Sequence, residues 1–120
     1  MLVSLPTSVR IWLATQATDL RKSFDSLAEL VRQQLDGDPL SGQLFVFRNK
    51  RADRVKLLYW DEDGFVIVYK RLELGTFRFP VPAADAAGVE IRAADLQMLL
   101  DGVDLDSVRR RRRYRRPVLA

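Results

Sequence analysis

Apolar residues at the start of the chain recur at helical steps, and from Leu44 onward they recur at the step of strands. Leu20, Phe24, Leu27, Ala28, Val31 and Leu35 fall on one face of a helix, while Arg21, Lys22, Asp25, Glu29 and Arg32 fall elsewhere. The spacing predicts a surface helix over 20–35, capped by Thr18 or Asp19, with Leu20, Phe24, Leu27, Val31 and Leu35 facing a sheet. Ahead of it, Val9 to Leu13 has the β-branched and aromatic character of a first strand, and behind it Gly37, Asp38, Pro39, Ser41 and Gly42 stop the helix. Four strand-length runs follow: Leu44 to Phe47, Val55 to Trp60, Phe65 to Tyr69 and Thr76 to Phe79. The segments between them, Asn49 to Asp53, Asp61 to Gly64 and Leu72 to Gly75, are too short for parallel crossovers and predict an antiparallel meander.

A link from Pro80 to Gly88 leads to a short strand over Val89 to Ile91 and a helix over Ala93 to Asp101, with Gly102 placed for a left-handed cap. The fold class expected is α+β: an antiparallel sheet of four to five strands packed by one main helix, with a short C-terminal helix and a basic tail. One domain over residues 1–106 and a flexible arginine-rich tail over 107–120 complete the expectation.

Composition narrows the function. At 120 residues with 48% hydrophobic, the chain can build one core, and two would each be marginal. No apolar run has the roughly 20 residues of a membrane span, and the N-terminus lacks a secretory pattern, so a soluble, cytoplasmic protein is expected. Cysteine and histidine are both absent, which removes thiolate chemistry, the commonest general base near neutral pH and the commonest transition-metal ligand. No cofactor, metal or small-molecule substrate is expected.

The net charge of +4 is a property of the tail, where Arg109, Arg110, Arg111, Arg112, Arg113, Arg115 and Arg116 supply seven positive charges. Without them 13 basic residues face 16 acidic ones. Guanidiniums at this density suit a phosphate backbone, with Tyr114 as a stacking ring; the alternative is a solvated terminus or one docked on an acidic protein face. Arg48, Lys50, Arg51, Arg54 and Lys56 form a second basic group around the first hairpin, with Lys70, Arg71 and Arg78 nearby. Strand alternation places Arg54 and Lys56 on one face, for DNA or as ordinary decoration of a half-exposed sheet.

Other constellations read more simply as structure. Asp61, Glu62 and Asp63, even with Asp19, Asp25 or Asp53 as a nuclease-type cluster, are better explained as a hairpin turn, a cap and surface residues. An anion site at Thr18, Asp19, Arg21 and Lys22 is opposed by the Asp19 charge. Trp12, Phe45, Phe47, Trp60, Phe65, Tyr69, Phe77 and Phe79 read as packing residues, with a minor base-stacking alternative for Phe45 and Phe47.

Five strings resemble, in order and spacing, the TnpB-type (Orf2-like) accessory proteins of insertion-sequence-66 transposons. They are Thr18 to Asp25, Gly42 to Arg48, Val55 to Asp61, Lys70 to Phe77 and Met98 to Asp104, and the likeness spans roughly residues 5–105. Leu105, where relatives carry an aromatic, and the arginine density depart from the pattern. The resemblance implies participation in transposition beside a separate transposase, with no catalytic residues to carry over. The expectation is a non-catalytic accessory protein whose partners are DNA and a transposase or other transposon-encoded protein. Its rivals are a protein adaptor that never touches DNA and a metal-dependent nuclease.

Overall fold

A computed structural model describes residues 8–80 and 85–102. Five strands, β1 (Ile11–Ala14), β2 (Leu44–Arg48), β3 (Arg54–Asp61), β4 (Gly64–Arg71) and β5 (Gly88–Ile91), form one sheet in the order β4-β3-β2-β1-β5. Two helices, α1 (Phe24–Gln34) and α2 (Ala93–Asp101), complete the α+β fold. The sheet is mostly antiparallel, and β2, β3 and β4 make the expected meander. It is not wholly so: β1 lies parallel to β2, with Ile11 opposite Leu44 and Leu13 opposite Val46. Residues 15–43, which include α1, supply the long crossover that parallel pairing requires. β5 then closes the other side of β1 in antiparallel register.

The central position of β2 explains its sequence. Leu44, Phe45, Val46 and Phe47 are all 1% exposed or less, because alternate side chains leave the sheet on opposite faces and both faces are covered. Phe45 and Phe47 join Leu58 beneath Leu27, Ala28 and Val31 of α1. Leu44 and Val46 join Val55 and Leu57 against Leu96, Leu99 and Leu100 of α2. The expected single helical cover is therefore a double one, and burial of both faces drives the fold.

Three local expectations are corrected. The first helix starts at Phe24 with Ser23 as its N-cap, not at Leu20. Asp19 instead closes a tight turn, its carboxylate accepting from the Arg21 backbone N–H at 3.0 Å and its carbonyl from that of Lys22 at 3.1 Å. Leu20 is buried in that turn, but Phe24, expected against the sheet, is 45% exposed. As the first residue of α1 its side chain tilts toward the helix N-terminus, away from the buried stripe of Leu27, Ala28 and Val31.

Thr76 to Phe79 is not a strand. The Phe77 backbone N–H donates to the Ala52 carbonyl at 2.7 Å, and that of Leu72 to the Asp53 carbonyl at 2.7 Å. The segment after β4 thus straps the loop between β2 and β3, with Phe77 buried on the α2 side. The expected β5, α2 and left-handed Gly102 (φ 90°) are all present. The Arg109–Arg116 run and the expected domain boundary lie outside the described residues.

Candidate nucleic-acid interface

The β3–β4 ribbon carries opposite charges at its two ends. Its tight turn presents Asp61, Glu62 and Asp63, all exposed. From there the register counts back pair by pair, through Lys56 opposite Tyr69, to Arg54 opposite Arg71. At that far end the loop 49–53 is tied into shape: the Asn49 amide donates to the Asp53 carboxylate at 2.6 Å, and the Arg54 N–H donates to the Asn49 side-chain oxygen at 3.0 Å. Ala52, at φ 57°, makes the bend that brings its carbonyl to Phe77. Lys50 and Arg51 project from a loop whose backbone is fixed.

The five cations expected around this hairpin are brought to one end of the sheet but have different occupations. Arg48 is structural: its guanidinium donates to the Thr15 carbonyl at 2.9 Å and to the Asn49 carbonyl at 3.4 Å, and stacks 5.7 Å from the Phe79 ring. Lys56 is structural too. Only 9% exposed, it donates from Nζ to the Lys22 carbonyl at 2.8 Å, and the ammonium sits 4.8 Å from the Tyr69 ring centre. Arg54 shares the Lys56 face, as alternation requires, and donates to the Tyr69 hydroxyl at 3.1 Å. Lys50 and Arg51 are exposed and have no hydrogen bond or ion pair among the described residues. Arg78, on the strap, and Lys22 have free side chains in the same sense.

The carboxylates of this region are already committed. Asp19 forms a two-point pair with Arg21, its closest contact 2.7 Å, and the hydrogen bond from that guanidinium lowers its pKa to about 2. The hydrogen bond from Asn49 lowers the pKa of Asp53, and Glu73 pairs with Arg71 at 2.8 Å. An open depression of about 540 Å³ lies among Asp19, Arg21, Arg51, Arg54, Lys56 and Tyr69. The end of α2 joins the same region, because the Lys70 ammonium donates to the Leu100 carbonyl at 2.9 Å.

The other sequence candidates separate. Phe45 and Phe47 are buried and offer no ring to a base, whereas Tyr69, read from sequence as packing, is 48% exposed. Its position was recoverable, because a two-residue turn at Glu62 and Asp63 sets Lys56 opposite Tyr69. Asp53 and the Asp61–Asp63 turn sit at opposite ends of β3, roughly 26 Å apart at strand rise. Among the described residues no three acidic side chains gather as a metal site, and no helix is long and apolar enough to cross a membrane.

Residues 9–110 match the family described as IS66 Orf2 like protein. The chain is 40% identical over 103 residues to the uncharacterized protein y4jC of Sinorhizobium fredii (strain NBRC 101917 / NGR234), covering 86% of each. It is 41% identical over 97 residues to the uncharacterized protein y4hO of the same strain, covering 81% of this chain and 83% of that one. No solved structure matches.

Proposed function

Because the chain belongs to the IS66 Orf2-like family, a family with a transposon-associated accessory role, we propose that it assists transposition by holding DNA through its phosphates. The observation that carries this reading is the segregation of charge. Among the described residues the side chains of Lys50, Arg51, Lys22 and Arg78 make no hydrogen bond or salt bridge at one end of the sheet, while Asp61, Glu62 and Asp63 stand at the other. Such a dipole orients a polyanion toward one end only. Arg109 to Arg113, Arg115 and Arg116 add seven guanidiniums of the kind that meet phosphate oxygens. Arginine repeats outside a folded reading element bind phosphates rather than base edges, so the contact is steep in salt and tolerant of sequence.

Strand cleavage, in this reading, belongs to a separate transposase in the cytoplasm, and this chain does no bond chemistry. It lacks histidine and cysteine, and the carboxylates of Asp19, Asp53 and Glu73 beside the cationic end are spent on turns and ion pairs.

The test is a duplex titration across salt concentrations with the intact chain, a chain lacking residues 109–120, and the double variant Lys50→Gln/Arg51→Gln. Each phosphate contact contributes about −0.9 to the log–log slope, so the double variant should flatten it by about 1.8 and the truncation by at most roughly 6. Equal affinity and slope for all three proteins would sink the reading in favour of an adaptor whose basic tail docks on a protein. Supercoiled plasmid with magnesium or manganese should stay intact, and nicking lost in Asp61→Asn would defeat the non-catalytic assignment.

A further inference from the structure

Tyr69 is an exposed aromatic on the outermost strand, and two cations of the neighbouring strand hold it in place. Arg54 grips its hydroxyl at 3.1 Å, and the Lys56 ammonium lies against its ring at 4.8 Å. The second clamp is itself anchored, because Lys56 is tied to the Lys22 carbonyl at 2.8 Å. A solvent-facing ring normally samples several orientations, and ordering it costs side-chain entropy on binding. Here two contacts restrict that freedom before any ligand arrives. The ring borders the open 540 Å³ depression, whose other walls include Arg51, Arg54 and Arg21, the last paired with Asp19, together with the Asp53 carboxylate.

We propose that Tyr69 is a stacking platform for an unpaired nucleobase, with Arg51 and Arg54 on the adjoining phosphates, so that this depression binds single-stranded DNA in preference to duplex. The inference rests on the DNA-binding reading above and deepens it by naming the form of DNA. Every base has a π-face, so a lone aromatic in a cationic hollow accepts any unpaired base. A base inside a duplex is stacked on its neighbours and cannot reach the ring without being unpaired. With Lys56 held against the ring, the exposed part of Tyr69 remains available to one base.

The experiment uses the full chain and measures fluorescence anisotropy with a labelled oligothymidine of about twelve nucleotides and a mixed-sequence duplex. Tyr69→Ala should weaken single-strand binding by roughly 5- to 150-fold, the range of one lost base–aromatic stack, and leave duplex affinity within about twofold. Tyr69→Phe, which keeps the ring and loses only the grip of Arg54, should retain most of the single-strand affinity. Thermal melts of both variants check the fold. Equal loss on both probes, or no loss on either, overturns the stacking assignment while phosphate binding by the intact chain stands. Failure of the intact chain to bind either probe at low salt overturns both readings.

Discussion

Replacing Lys56 with Met separates a structural cation from one that meets DNA. The substitution keeps most of the aliphatic stem, which lies on the α1 face of β3, and removes the ammonium. Two interactions go with it: the hydrogen bond to the Lys22 carbonyl at 2.8 Å and the contact with the Tyr69 ring at 4.8 Å. A hydrogen bond to a charged group contributes about 1.5–3 kcal/mol, and a part-buried cation–π contact about 0.5–2 kcal/mol. Against these stands the relief of no longer holding a charge at 9% exposure, which offsets part of the loss. The net expectation is a destabilisation of about 1–3 kcal/mol. With a urea slope of roughly 1–3 kcal/mol/M for a chain of this size, the unfolding midpoint should fall by about 1 M. The salt dependence of duplex binding should be unchanged, since the ammonium makes no phosphate contact. Lys50→Gln should do the opposite, leaving the midpoint in place and flattening the slope by about 0.9. An unmoved midpoint for Lys56→Met together with a flatter salt slope would refute this division of labour.

Other consequences follow from burial, backbone and ionisation. Phe47→Ala, at 0% exposure between β2 and α1, should cost about 3–5 kcal/mol in chemical denaturation, whereas Phe24→Ala should cost under about 1 kcal/mol despite the identical chemistry. Gly102→Ala places a Cβ at φ 90° at the end of α2 and should cost about 1 kcal/mol, read as a lower thermal midpoint. Asp19 should titrate near pH 2 in a carboxyl NMR titration, held there by Arg21, and Arg21→Ala should return it toward its ordinary 3.8. Because its folded pKa lies below the unfolded one, the stability it adds is complete above the ordinary range and is lost as pH falls toward 2.

Much of this architecture is written locally. The stripe of Leu27, Ala28 and Val31, the stop from Gly37 to Gly42, the turn at Asp61 to Gly64 and the cap at Gly102 each rest on residues within one or two turns of each other. The unbroken apolar run Leu44 to Phe47 is that of a strand buried on both faces, although the expectation was a sheet packed by one main helix. What the tertiary structure alone decided is pairing at a distance. Parallel docking of β1 beside β2 depends on where α1 returns the chain, and the strand-like Phe77 finds its backbone partner on a loop instead of in a ladder. The candidate site divides the same way: that Arg48, Lys50, Arg51, Arg54 and Lys56 carry charge is plain in the sequence, but which of them is free is not. Arg48 is claimed by a carbonyl 33 residues away and Lys56 by one 34 residues away, while Lys50 and Arg51 meet no such partner among the described residues. Charge belongs to the residue, but its availability depends on which distant backbone groups the fold brings within hydrogen-bonding reach.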